Sequence, residues 1–345
     1  MARTRCTSGS HMTSLLSSWS LNHQTFRLLL TTILLSDWTL SKGAPAPISR
    51  EIFVNPQGGS GIYTTIQDAI NQGVPGNNTG WVLINVAPGV YAENVTVPRD
   101  KPYVYLKGHQ RSTTIVAGRS SGNLWEATLM VLADNFIAQR ITFKNTFNVA
   151  GSILGNDVKP AVAVSVQGDK NSFYRCAFIG LQDTLFDAIG RHFFRSCYIE
   201  GAVDFIFGDG TSMYQACVIN ATGYGFITAQ RRETPDGPSG FVLKFTRVIG
   251  TGPTYLGRAY GAYSRVLFYK STLSGSVDPK GWDPWNFVGH ENQLTYAEVD
   301  CRGDGANTSQ RVSWEKTLSP SELKSLISTS FIDNEGWLAN QPLSA

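Results

Sequence analysis

From Trp81 onward the apolar positions fall in short runs rather than in helical stripes. Trp81–Val86, Val104–Gly108, Phe136–Phe143, Phe241–Val248 and Val266–Leu273 are each five to eight residues rich in β-branched and aromatic side chains, bounded by Gly, Asn, Asp or Pro. Runs of that length and composition predict strands that turn at their punctuation. One pattern recurs among them: Phe173-Tyr174-Arg175-Cys176, then Phe193-Phe194-Arg195-Ser196-Cys197, then Met213-Tyr214-Gln215-Ala216-Cys217, with the cysteines 21 and 20 residues apart. A period near 20 in β-rich, turn-punctuated units is what stacked coils produce. The chain is therefore expected to be all-β, a right-handed parallel β-helix, although the short strands alone would also suit an antiparallel β-sandwich.

Helical signals appear only near the ends. Thr64–Ile70, closed by Gly73, and Ser319–Ile327, with Ser319 as N-cap and Pro320 in the first helical position, predict two short helices. A stack of coils exposes core and unpaired backbone at its ends, so short capping helices are expected, the first as a plug.

The first 43 residues differ from the rest. An arginine precedes the apolar run Leu28–Leu35, too short to cross a bilayer, and small residues and prolines follow near Ala44 to Pro47. This predicts a secretory leader over 1–43, the alternative being a disordered N-terminal segment, and one domain over 44–345. Setting the leader aside changes the charge. The whole chain has 29 Lys+Arg against 26 Asp+Glu, but the leader holds four basic residues and one acidic residue, leaving 25 of each. A nearly neutral domain gives no support to a nucleic-acid partner. No apolar stretch is long enough to be a membrane span, so no membrane association is expected once the leader is removed. Asn77, Asn94, Asn220 and Asn307 stand in glycosylation tripeptides, in keeping with secretion. Cys176, Cys197, Cys217 and Cys301 can either bridge between coils or pack unbridged as small buried hydrophobes.

The same register carries the chemistry. Asp183 lies seven residues after Cys176, and Asp204 seven after Cys197. Cysteines stacked on neighbouring coils therefore stack the aspartates too, at an inter-strand spacing of about 4.8 Å. Two carboxylates that close cannot both ionise comfortably, so one pKa rises and the pair divides into an acid and a nucleophile or base. Asp204 also sits within the apolar run Val203–Phe207, where a carboxylate is expensive unless paired or functional. Gln182 adds an amide beside Asp183. Leu256-Gly257-Arg258-Ala259-Tyr260 brings a guanidinium able to hold a carboxylate bidentately, and Trp282 and Trp285 follow as candidate sugar-facing aromatics.

Gly89-Val90-Tyr91-Ala92-Glu93, Ala161-Val162-Ala163-Val164, Gln182-Asp183-Thr184-Leu185, Asp204-Phe205-Ile206-Phe207-Gly208 and Leu256-Gly257-Arg258-Ala259-Tyr260 occur in the order and spacing of five signature regions. In them the chain resembles the pectin methylesterases, most of all the plant enzymes, over roughly residues 50 to 340. The resemblance implies a β-helical enzyme without metal or organic cofactor that removes methyl esters from cell-wall homogalacturonan (pectin). It implies Asp204 as nucleophile, Asp183 as general acid and base, Gln182 as oxyanion donor and Arg258 as the residue orienting Asp204. Tyr260 and Trp282 match positions that contact sugar.

The resemblance further implies a secreted, extracellular, cell-wall monomer that a proteinaceous inhibitor can bind. The leader is too short for the inhibitor-like region many plant members carry, so the type without one is expected. Two departures stand out. Pro160 occupies the position of a glutamine that supplies a second oxyanion donor, and Tyr260 replaces a common tryptophan. Pro160 keeps open a catalytically weak pectin-binding wall protein. Another β-helical pectin-degrading enzyme is a further alternative, since closely spaced carboxylates also suit a retaining glycoside hydrolase. That reading leaves Gln182 and Arg258 without a role.

Overall fold

The computed structural model describes residues 46–119, 122–123, 126–148 and 158–343. The leader expected over residues 1–43 lies outside them.

Among the described residues three parallel sheets of ten, eight and eight strands run the length of the domain; each complete coil gives one strand to each sheet, and the first sheet gains Ile48–Val54 and Thr295–Val299 at its two ends. The chain is a right-handed parallel β-helix. In the coil that carries the first signature aspartate the strands are Asn171–Tyr174, Ala177–Ile179 and Leu185–Asp187; in the next they are Arg191–Arg195, Tyr198–Gly201 and Ile206–Gly208. Phe173 pairs with Phe194, Ala177 with Tyr198 and Leu185 with Ile206, so the two coils stay in one register through all three sheets.

That register is held by interior stacking. Phe173 lies on Phe194 with ring centroids 5.1 Å apart, and Phe194 on Tyr214 at 4.6 Å. Cys176, Cys197 and Cys217 fill the inner corner beside them as buried free thiols, which resolves the alternative in favour of unbridged packing. From the coil of Ile137–Gln139 onward, six successive turns from the first sheet to the second pass through a residue in the left-handed region: Arg140, Arg175, Ser196, Ala216, Phe245 and Lys270 all have φ between 48° and 60°. Non-glycine residues adopt that conformation at a cost, so its recurrence marks a corner imposed by the stack rather than by local preference.

Helix α1 (Ile66–Asp68) continues into a wider turn, Ala69–Gly73, and drives Ile66, Ala69 and Ile70 into the core at the open end, as expected of a plug. The carboxylate of Glu93 accepts from the backbone N–H groups of Ile66 and Gln67 at 2.9 and 3.0 Å. An anion at that helix start is favourable. Helix α2 (Pro320–Ile327) has the Ser319/Glu322 capping box, but it lies along the outside of the first sheet, where Leu326 packs with Val242, Leu267 and Ala297. Among the described residues no helix is long and apolar enough to cross a membrane.

Candidate active site

The corner between the second and third sheets is where Asp183 and Asp204 stand, one coil apart. Gln182 bridges Val203 in parallel, and the Asp183 N–H donates to Val203 O at 3.0 Å. Both aspartates have left-handed backbones, φ 60° and 50°, a conformation that Asp tolerates better than most residues. Equal conformations in one register put the two side chains at the same corner. Below it Gly201 is required, because a Cβ there would lie 2.3 Å from the Phe205 side chain.

Arg258 reaches this corner from strand Thr254–Ala259, two coils on, in a row of outward positions that runs Phe186, Phe207, Ala229, Arg258. Its Nε donates to one oxygen of Asp204 at 2.8 Å and its terminal nitrogen to the other, a bidentate clamp. The guanidinium is itself held between aromatic faces, 3.8 Å from the Trp285 ring centroid and 4.5 Å from that of Phe226. Phe186 and Phe207 stack at 4.6 Å and, with Ala127, Val162, Ala229 and Tyr260, make an apolar strip along the outer face of the third sheet. A strip of aromatic faces beside two carboxylates can receive the apolar faces of sugar rings.

Under this strip lies a buried polar cluster. Asp187 accepts from the Tyr214 hydroxyl at 2.5 Å and pairs with His192 Nδ1 at 2.5 Å, while His192 Nε2 stands 2.8 Å from Gly168 O. It fixes the strand that bears Phe186 from the inside.

The electrostatics separate the two aspartates. Burial and then the neighbouring Asp204 push the pKa of Asp183 up to about 7, against the lowering effects of Arg258 and Gln182. Burial also raises Asp204, but the hydrogen bonds and charge of Arg258 act in the opposite direction. Asp183, raised by its neighbour as well as by burial, is thus placed to carry the proton, while Asp204 is the one clamped by a guanidinium.

Of the residues expected from the sequence, Gln182, Asp183, Asp204, Arg258 and Tyr260 come together here. Trp282 does not. It pairs with Gly257 in the interior column, is 1% exposed, and stacks on Tyr296 at 4.6 Å. A ring so enclosed offers no face to a sugar. Trp285, three residues later, takes the place expected of it: it stacks on Tyr260 at 5.8 Å and covers Arg258. Phe186 and Phe207 join the site as well, two aromatics at outward positions of the third sheet that carry no signal of their own in the sequence. Pro160 adjoins the site, since the N–H of Ala161 donates to Gln182 O at 3.2 Å. Among the described residues no group of three or more His, Cys, Asp or Glu is placed to hold a metal ion. Of the glycosylation tripeptides, Asn77, Asn94 and Asn307 are exposed, while the Asn220 amide donates to Tyr198 and Glu200, both at 2.9 Å.

A family model described as Pectinesterase matches residues 51–335. The chain is 46% identical to "Probable pectinesterase 29" of Arabidopsis thaliana over 306 residues, 86% of this chain and 91% of that protein. It is likewise 46% identical to "Probable pectinesterase 55" of the same plant, over 85% of this chain and 91% of that one. Among solved structures it is similar to the pectin methylesterase from carrot, with TM-score 0.77, 33% identity and coverage of 88% and 99%. It is similar also to the Aspergillus niger pectin methylesterase, with TM-score 0.72, 29% identity and coverage of 85% and 96%.

Proposed function

This chain belongs to the pectinesterase family and is an ester hydrolase of that kind, and on that premise we propose that Asp204 and Asp183 demethylesterify homogalacturonan in two half-reactions. The Asp204 carboxylate, aimed by Arg258, attacks the C6 methyl-ester carbonyl of a galacturonate unit. As the tetrahedral intermediate collapses, the C–O bond to methoxide breaks and protonated Asp183 gives its proton to the leaving oxygen. Methanol departs and an acyl-enzyme anhydride remains. Asp183, now ionised, takes a proton from water as that water attacks the acyl carbon. The Asp204 carboxylate is released, Asp183 is protonated again and the product carries a free acid. Gln182 donates to the oxyanion in both half-reactions.

The observation that carries this reading is the bidentate clamp of Arg258 on Asp204 directly beside an aspartate whose pKa is raised to about 7. One carboxylate is held as a nucleophile and the other as an acid, the division the chemistry needs. Tyr260 and Trp285 bind the sugar chain along the strip formed by Phe186 and Phe207. The enzyme acts as a secreted cell-wall monomer that needs no metal or organic cofactor, and a proteinaceous inhibitor would have to cover this strip to block it.

The test is methanol release from highly methylesterified pectin by the full chain, beside Asp204→Ala and Asp183→Asn. Release in the parent that disappears in both variants is expected; release that survives Asp204→Ala overturns the assignment. The second reading, a wall protein that binds pectin with little turnover, is favoured by one observation only, Pro160 at the edge of the site. It requires pectin binding by the parent without methanol release.

A further inference from the structure

A second concavity of about 700 Å³ follows the corner between the first and second sheets. On a single coil Arg175 lies at that corner and Asp183 at the next, with strand Ala177–Ile179 between them, so the groove is set across the second sheet from the candidate catalytic corner. Lys107, His109, Arg140 and Arg175 line it, a smaller adjoining hollow adds Arg111, and no acidic side chain lines either. A domain with balanced charge has therefore gathered cations in one place.

Arg140 and Arg175 occupy consecutive corners: the Arg140 N–H donates to Tyr174 O at 3.0 Å, and the two residues share left-handed φ values of 59° and 55°. Their backbones are thus about 5 Å apart. Among the described residues neither guanidinium makes a hydrogen bond or ion pair, whereas Arg191 meets Asp169 and Glu335, Arg258 meets Asp204 and Arg311 meets Glu298. Two stacked cations without a counter-ion repel each other, and an anion laid across both relieves the repulsion. Phe53, on the same wall, is 51% exposed, and Asn55, Asn85 and Gln110 add neutral hydrogen-bonding groups. An exposed aromatic face, amides and paired guanidiniums together match a sugar ring, its hydroxyls and its carboxylate.

We propose that this groove binds a run of unesterified galacturonate units, the acidic product of the reaction above, and so holds the enzyme on polymer it has already processed. The identity of the polyanion rests on that reaction; the groove itself does not.

The probe is an unesterified oligogalacturonide titrated into the full chain, into Arg140→Gln/Arg175→Gln, and into Phe53→Ala, with methanol release and melting temperature measured on each. The double variant is expected to bind about tenfold more weakly at low salt and with a shallower salt dependence, Phe53→Ala to lose affinity without losing salt dependence, and both to keep parental melting and release from a short methylesterified substrate. Unchanged affinity in a folded double variant overturns the proposal. So does equally tight binding of a single-stranded oligonucleotide of the same charge, which would make the patch a general anion surface. Release with unchanged product binding sinks the groove and leaves the esterase standing; binding lost in the variant of a chain that releases no methanol does the reverse.

Discussion

The Trp285 ring lies against the guanidinium of Arg258, 3.8 Å from its carbon to the ring centroid, while the same guanidinium clamps Asp204. The aromatic thus reaches the Asp204 carboxylate through one intermediary. A desolvated cation–π contact is worth about 2 kcal/mol. Trp285→Ala should lower kcat/KM for methylesterified pectin by about tenfold or more with little change in melting temperature, and Trp285→Phe should recover part of it. Steady-state kinetics beside a thermal melt tests both halves.

Trp282 behaves in the opposite way. It is enclosed with Phe268 and Tyr296, its indole N–H 3.4 Å from Glu315. Trp282→Ala should remove about 3–5 kcal/mol of stability through the cavity it leaves, read by denaturant unfolding. Any protein that stays folded should keep a near-parental KM, because the ring is enclosed and offers no face to a sugar.

Stability and activity should part at Asp183. Its folded pKa is raised to about 7 from 3.8, so between those values the folded state holds a proton that the unfolded chain has lost. Its contribution therefore favours folding at low pH and is lost as pH rises toward 7. Asp183→Asn abolishes that penalty. The variant should melt higher than the parent at pH 8 and lose the difference below pH 4, yet release no methanol. In the parent, kcat/KM should decline above pH about 7 as the acid ionises.

Pro160 offers neither a side-chain donor nor a backbone N–H. One missing oxyanion donor costs about 10²–10³ in rate elsewhere. Pro160→Gln should therefore raise kcat by about tenfold or more with KM nearly unchanged, whereas no change would mean that Gln182 alone serves the oxyanion.

The coils, and with them the stacking of Asp183 on Asp204, were readable because Cys176, Cys197 and their aspartates repeat at one interval and the interior takes the same residue classes on every turn. Trp282 and Trp285 were not separable in that way. The stretch from Gly257 to Trp282 passes through a long turn, and only the pairing of those two residues reveals which tryptophan enters the interior column. Phe186 and Phe207 are indistinct in the sequence for a related reason. A three-residue strand is too short to show alternation, so its single outward residue looks like one more core aromatic. Helix α2 was legible as a helix from Ser319 and Pro320, but its resting place depends on Leu326 finding an apolar face on the first sheet, a contact between distant parts of the chain.

The clamp on Asp204 comes from a residue 54 positions later in the chain, and the aromatic that covers it follows later still. A nascent chain that has emerged only as far as Gly208 already holds both aspartates, but nothing keeps one of them aimed and ionised. On the mechanism proposed above, the corner is complete only once the coils that bear Arg258 and Trp285 are in place. A fragment that ends before Arg258 carries both aspartates but lacks the guanidinium that clamps Asp204 in the folded chain, so the corner is completed only by a strand two coils further on.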